Sequence, residues 1–492
     1  MIDTISLKKK ILDMAICGKL SVQSIESESA ERDFEELTKV KNELLRNNEI
    51  KKEKISEGDN SDILFDTPEN WIWCQLADLC KTVTDGTHKT PTYIEKGIPF
   101  LSVKNISSGI FDFSDIKYIS ESEHEDLIKR CNPEVGDVLF CRIGTLGKAI
   151  EVNFESSFSI FVSLGLIKPL DSYLSKYLVY VFNSGYGDLW IKKNKAGDSM
   201  HAAKINLDVL RSFKVPLPPK EELERIVNKI DGIFDKIDII EREQSKYISD
   251  LEILKSKIFD AGIQGKLTER LPEDGNATDL YIRLGSEKNQ ILKNRKGRTD
   301  KNIKDVDDEV PYLLPENWKW IRFGEVGLFK KGPFGSALTK SMFVPKSEDT
   351  VKVYEQQHAI QKDYALGTYY ISREYFEDKM SGFEVLPGDV LVSCAGTIGE
   401  TYILPDEIEQ GIINQALMRV TLAPSINKRF FQLYFDANLK KAAQEESNGS
   451  AIKNIPPFDV MKNWYFPLPP LSEQERIVEK IDGLLSIIEM RG

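Results

Sequence analysis

The chain of 492 residues carries six cysteines, Cys17, Cys74, Cys80, Cys131, Cys141 and Cys394, and no two of them form a Cys-x-x-Cys pair. Its four histidines, His88, His124, His201 and His358, are scattered. Such spacing writes neither a zinc site nor a disulfide framework, and reduced, mostly buried thiols are expected. No run approaches the ~20 apolar residues that span a bilayer, and the opening MIDTISLKKKILDMAICGKL lacks a long apolar stretch followed by a small-residue cleavage site. A cytoplasmic chain with no membrane partner is expected. Cations are also in deficit, 66 Lys and Arg against 78 Asp and Glu, a formal charge of −12. That balance argues against gripping nucleic acid by bulk charge alone, because phosphate neutralisation supplies most non-specific affinity. A DNA ligand would need local basic residues or a partner that brings them.

What the chain does contain is itself, twice. PLPPKEELERIVNKIDG, Pro216 to Gly232, returns as PLPPLSEQERIVEKIDG, Pro467 to Gly483, with 13 of 17 residues identical. PENWIW at Pro68 returns as PENWKW at Pro315, GDVLFCRIGTLG at Gly136 as GDVLVSCAGTIG at Gly388, and KILDMAICGKL at Lys10 as KIFDAGIQGKL at Lys257. The offsets, 247 to 252 residues, are nearly constant, so whole domains are duplicated. The order is helix tail, domain, helix, helix tail, domain, helix. Two equal halves are regained in such a permuted chain if the N-terminal segment completes the C-terminal helix, which is a structural expectation.

The helices are signalled by a heptad seam, Ile226, Ile230, Ile233, Ile237, Ile240, Gln244, Tyr247, Leu251, Leu254 and Ile258, repeated by Ile477, Ile481, Leu484 and Ile488. Two copies in one chain point to antiparallel pairing between the helices. Ser472 and Glu475 match a capping box after a proline pair. The charged stretches that begin at Glu31 and Thr278 read as solvated helices, followed by polar linkers near 55–66 and 296–310. Between the helical parts lie two mixed α/β domains, in which β-rich runs such as DVLFC, SIFVSLGLI and ALMRVTL alternate with helix-like runs such as YLSKYLVYVFN. The expected division is a tail and linker over 1–67, a first domain over 68–215, a spacer helix and linker over 216–311, a second domain over 312–466 and a second spacer helix over 467–492.

PLPPLSEQERIVEKIDG, ILDMAICGKL, TDGTHKTPTY after the first PENW motif and KKGPFGSAL in the equivalent place of the second copy together resemble type I restriction–modification specificity subunits. The likeness runs over nearly the whole chain; the first copy departs from it in reading KEELERI where the second has SEQERI. The resemblance implies an α+β fold, in which two target recognition domains are joined by two long antiparallel coiled-coil helices in a circularly permuted, pseudo-twofold repeat. It also implies a non-catalytic subunit whose domains each read one half of a split, asymmetric site on double-stranded DNA. The helices would set the gap and dock two methyltransferase subunits, with restriction and translocase subunits outside them. S-adenosylmethionine, ATP and magnesium would sit in those partners.

Bases are read by Arg, Lys, Asn and Gln, and phosphates by cations, hydroxyls and backbone amides. The candidate contacts in the first domain are Thr84, Asp85, Gly86, Thr87, His88 and Lys89, then Arg142, then Lys192, Lys193, Lys195, His201 and Lys204. In the second they are Lys330, Lys331 and Ser336, then Gln356, Gln357 and His358, then Lys453 and Asn454. Enzymatic signatures fall short. Asn454–Phe458, NIPPF, is near an amino-methyltransferase motif, but Ile455 separates the asparagine from the prolines and the first copy reads KINLD there. Gly144–Lys148, GTLGK, lacks the spacing of a phosphate loop, and its twin is GTIGE. The recurring acid, Asp137 and Asp389, belongs to a Gly-Asp turn. A methyltransferase or nuclease with an unfamiliar site, or a two-headed protein scaffold, are the rival readings.

Overall fold

The computed structural model describes residues 1–20, 29–56, 63–197, 203–295, 303–307, 309–395, 397–446 and 455–491. The contacts divide it into two units, Met1–Ser245 and Lys246–Gly492. Among the described residues no helix is long and apolar enough to cross a membrane. The spacer helix, Lys220–Ile263, has 44 residues and is about 65 Å long at 1.5 Å per residue.

In the first unit the tail helix Thr4–Ile16 lies antiparallel to the spacer helix. Gln244 takes the Ile2 N–H at 2.6 Å and donates to the Ile2 carbonyl at 3.2 Å, Lys8 meets Asp238 at 2.7 Å, and Lys229 donates to the Leu20 carbonyl at 2.6 Å. The polar break in the seam is thus a side chain capping another helix. Ile226, Ile230 and Ile237 are buried. In the second unit the C-terminal helix Leu471–Arg491 runs antiparallel to the end of the spacer helix: Ile477 and Ile481 pack on Gly262, and Thr268 meets Glu473 at 3.0 Å.

The three shared motifs meet at one junction in each unit. Each tail helix ends in a left-handed glycine, Gly18 at φ +69° and Gly265 at φ +70°. The following Lys19 and Lys266 amides bond back to Met14 and Ala261, a Schellman closure. A Cβ on Gly18 would fall 2.4 Å from Pro68, and one on Gly265 2.6 Å from Pro315, so the glycine is also where the Pro-Glu-Asn-Trp motif rests. The tryptophan of that motif then donates its indole N–H to a buried glutamate in the first turn of the spacer helix: Trp71 to Glu222 at 3.1 Å, Trp318 to Glu473 at 2.8 Å. Thr268 and Arg270 also meet Glu473 at 3.0 Å each, and Asn317 donates to it at 3.4 Å.

Ser472 does not cap its helix. The helix starts at Leu471, inside the proline pair's reach, and Ser472 donates instead to Asp274 at 2.8 Å, an acid nearly two hundred residues away that Arg476 also holds at 2.6 Å. The charged helices Ala30–Arg46 and Ala277–Asn294 are docked rather than merely solvated. Asp33 accepts the Lys220 N–H at 2.7 Å, Tyr281 donates to Glu325 at 2.6 Å, and Leu37, Leu280 and Leu284 are buried.

Each α/β domain starts and ends on a two-stranded ribbon, Ile72–Gln75 with Lys214–Leu217 in the first and Lys319–Arg322 with Tyr465–Leu468 in the second. Above it stands a four-stranded antiparallel sheet. Its spatial order is Cys80–Asp85, Leu164–Pro169, Val138–Cys141, Ala149–Glu151, matched by Gly327–Lys331, Leu417–Leu422, Val390–Ser393, Thr401–Ile403. A further small sheet in each contains one parallel pair, Ile98–Leu101 with Ser159–Ile160 and Thr350–Tyr354 with Gly411–Ile413. The Gly-Asp turn is the same in both: a left-handed glycine, then an aspartate whose carboxylate accepts an N–H three residues back, Asp137 from Glu134 and Asp389 from Leu386, both at 2.7 Å. One apolar cluster per unit takes in tail, spacer and domain together, so the domain is welded to its helix.

Two outcomes follow for denaturation curves read by tryptophan fluorescence. Glu473→Ala, which leaves a buried indole N–H and a guanidinium without their acceptor, is expected to cost about 1–3 kcal/mol, and Glu473→Gln, which keeps an oxygen there, less. Gly265→Ala combines left-handed strain with a clash against Pro315, whereas Gly109→Ala, also left-handed but with open space around it, carries the strain of about 1–2 kcal/mol alone. Gly265→Ala should therefore be the more damaging of the two.

Candidate nucleic-acid interface

In the first domain the strand Cys80–Asp85 runs out at Gly86, whose missing Cβ would lie 2.0 Å from the Ile160 carbonyl. The bare backbone lets the next residues pair with a neighbouring loop: Thr87 N–H to Ile160 at 3.0 Å, Val162 N–H to Thr87 at 2.9 Å. Arg142 N–H bonds Ser163 at 3.0 Å, Ile205 N–H bonds Arg142 at 2.8 Å, and Lys204 pairs with Ala196 in both directions. Four separate stretches therefore form one lip at the top of the sheet. Thr84, Asp85, Gly86, Thr87, His88, Lys89, Lys195 and Lys204 are brought together there, with His88, Lys89, Lys195 and Lys204 exposed.

The centre of the lip is a buried charge cluster. Asp85, 1% exposed, accepts from Arg142 at 2.7 Å, from His88 Nε2 at 3.0 Å and from Arg130. Arg142 is 7% exposed and also donates to the Ile205 and Val162 carbonyls at 3.2 and 3.1 Å. Burial lowers its pKa from the usual arginine value, and Asp85 pulls it back. Asp85 and Arg142 are interior residues that hydrogen-bond within the lip. Lys192 faces elsewhere, lining a cavity with Asp13, Phe65 and Tyr186 beside the tail helix. Lys193 is exposed on the helix Gly185–Asn194, which also carries Lys192, and His201 lies outside the described residues.

The second domain repeats the construction with other side chains. Gly332 occupies the place of Gly86, its missing Cβ 1.8 Å from the Asn414 carbonyl. The loops converge through Gly332 N–H to Leu417, Cys394 N–H to Ala416 and Asn414 N–H to Tyr354. Strand register puts Lys331 where the first domain has Asp85, since one lies opposite Met418 and the other opposite Gly165. Cys394 stands for Arg142. Lys330, Lys331 and Ser336 are exposed, and Gln356 and Gln357 are half-buried in the helix Gln356–Gln361. His358 is fully buried. It accepts from the Glu355 N–H at 2.9 Å and reaches the Leu366 carbonyl at 2.6 Å, and burial lowers its pKa from the usual histidine value. Lys453 and Asn454 lie outside the described residues.

Two kinds of residue escaped the reading of the sequence. Glu222 and Glu473 look like ordinary acids in a charged helix start, and only their shared place in the repeated Pro-Leu-Pro-Pro motif could have marked them. Arg130, which reaches Asp85 across 45 residues, had no signal beyond its charge. Among the described residues no group of three or more His, Cys, Asp or Glu is placed to hold a metal ion. Burial pushes the Cys131 and Cys141 thiols up to about 12, as befits packing groups.

Comparison with known proteins bears on both halves. The family described as the type I restriction modification DNA specificity domain matches residues 68–248 and again residues 315–491. The chain is 22% identical to the type I restriction enzyme EcoEI specificity subunit of Escherichia coli, covering 98% of this chain and 89% of that one. It is 21% identical to the EcoAI specificity subunit of the same organism, covering 97% and 88%. A solved chain from work on complex assembly and conformational transition of the type I R-M system shares the fold at TM-score 0.55 and 17% identity, covering 89% of this chain and 93% of that one. With the specificity domain matched twice, once in each copy of the repeat, the protein belongs to the type I restriction–modification specificity family.

Proposed function

We propose that the two lips are two reading heads, each contacting one half of a split, asymmetric sequence on double-stranded DNA, and that the helices between them fix the unspecified gap. The observation that carries this reading is the pairing of one backbone frame with two chemistries. Gly86 and Gly332 hold the same close approach, yet the residues before them are Asp85 and Lys331 and the residues across the sheet are Arg142 and Cys394. A duplicated scaffold needed only for packing would have no reason to differ at its rim while agreeing in its core.

Contacts to two major-groove segments on one face of a duplex fall about one turn, ~34 Å, apart or somewhat more, a span that a helix of this length can bridge. In this reading the chain carries out no chemistry. Two methyltransferase subunits dock on the helices and bring S-adenosylmethionine to a target adenine, and restriction and translocase subunits bring ATP and magnesium. The net charge of −12 fits that division, since the partners would supply much of the attraction to phosphate. The complex works in the cytoplasm, where its DNA is.

The test is methylation by the chain reconstituted with its methyltransferase subunits, followed by mapping of methylated adenines. A bipartite motif is expected from the complex and no transfer from the chain alone; transfer by the chain alone would make it an enzyme, and no sequence preference would leave a protein scaffold. Deleting Tyr247–Asp250, about 6 Å of helix, should shorten the preferred gap by roughly two base pairs at ~3.4 Å each while both half-sites stay the same. An unchanged gap would reject the spacer role.

A further inference from the structure

Asp85 has more cations than its burial requires. Arg142 alone, at 2.7 Å and almost as deeply buried, compensates the carboxylate and satisfies its remaining hydrogens on two carbonyls. Arg130 is a second arginine on the same acid, and it differs in kind. Its side chain is 54% exposed while its guanidinium is fastened at one edge by Asp85 and by the Gly86 carbonyl at 3.4 Å. A guanidinium has five N–H donors in a planar fork. Two terminal nitrogens each give one hydrogen to the lip, which leaves three of the five donors of this half-exposed fork for other partners.

The second domain shows what is retained when the chemistry changes. Arg130 lies six residues before Gly136 of the Gly-Asp turn, and Phe383 lies five before Gly388. In both domains that segment reaches back to the end of the first strand. There Phe383 holds Lys330, with Nζ 4.7 Å from the ring centroid. Lys330 stands opposite Arg419 as Thr84 stands opposite Leu166, so Lys330 occupies the place of Thr84, one residue before the place of Asp85 at the end of the same strand. Aspartate holds an arginine in one copy; a phenylalanine holds a lysine in the other. Neither the buried acid nor the buried arginine is common to both, but an exposed, immobilised cation is.

We propose that Arg130 is the base-reading residue of the first domain, set in place by Asp85, and that its free fork takes a paired acceptor edge in that domain's half-site, the N7 and O6 of a guanine being the pair that fits. This rests on the assignment of DNA reading to the domain. Fixing the side chain before binding removes the ordering cost that a free arginine would bear. Asp85 is a positioning residue in this scheme, acting through Arg130 without touching DNA.

The experiment is competition binding by the complex with its methyltransferase subunits, using duplexes that carry every base pair at each position of both half-sites. Arg130→Ala is expected to lose about 5- to 150-fold of discrimination at one G·C position of the first half-site, with the second half-site and the salt dependence unchanged. Arg130→Lys, which keeps the charge and loses the fork, should recover affinity without recovering discrimination. Asp85→Asn should loosen the same position, and Lys330→Ala a position in the other half-site only. Uniform weakening over all sequences, with the salt slope reduced by about one, would make Arg130 a phosphate contact and overturn the proposal. Unchanged discrimination, or losses in both half-sites together with a lower melting temperature, would overturn it as well. A wild-type complex without any preference would sink the DNA-reading assignment itself and not this residue in particular.

Discussion

The protein depends on a buried carboxylate placed twice. Glu222 and Glu473 sit in the first turn of a helix, where the unpaired N–H groups favour negative charge, and each accepts the indole N–H of the tryptophan that leads into the domain. A charge held out of water in this way has few acceptable arrangements, so the angle between domain and helix is set by hydrogen bonds with direction and not by apolar contact alone. The glycine that ends the tail helix rests against the proline of the same motif, and the whole junction becomes a fixed corner. Precision at the rim of the domain, tens of residues away, is worth having only because this corner does not give.

From that corner outward the two copies share less and less. Ribbon, four-stranded sheet and Gly-Asp turn correspond strand for strand, and the glycine after the first strand meets a carbonyl in both. Beyond it the identities part: acid against base, arginine against cysteine, salt bridge against ring. The gradient runs from a corner shared by both copies to a rim at which they differ.

What could be read from the residues follows the same gradient. The spacer helices, the tails and the main strands were legible because duplication repeats the pattern that burial demands, and the strand Val138–Cys141 or the helix Tyr173–Asn183 is where alternation and helical period place it. What local pattern did not show is which partner each side chain takes. Ser472 matches a capping box by local spacing, but Asp274 takes its hydroxyl. Arg142 has the right side chain for a base edge, but Asp85, 57 residues earlier, holds it inside. His358 looks available and is enclosed by its own turn. Arg130 shows the converse, an unremarked side chain given a fixed direction by an acid that no local pattern connects to it.

The ribbon that opens and closes each domain has a consequence for how such a chain can change. Ile72–Gln75 and Lys214–Leu217 lie side by side, as do Lys319–Arg322 and Tyr465–Leu468, so everything between the two strands is a loop of chain whose ends are already neighbours. An insert of different length or ancestry could be exchanged through that narrow neck without disturbing the corner beneath it. New specificity would then arise by replacing a cassette, while the mounting that every cassette must fit stays as it is.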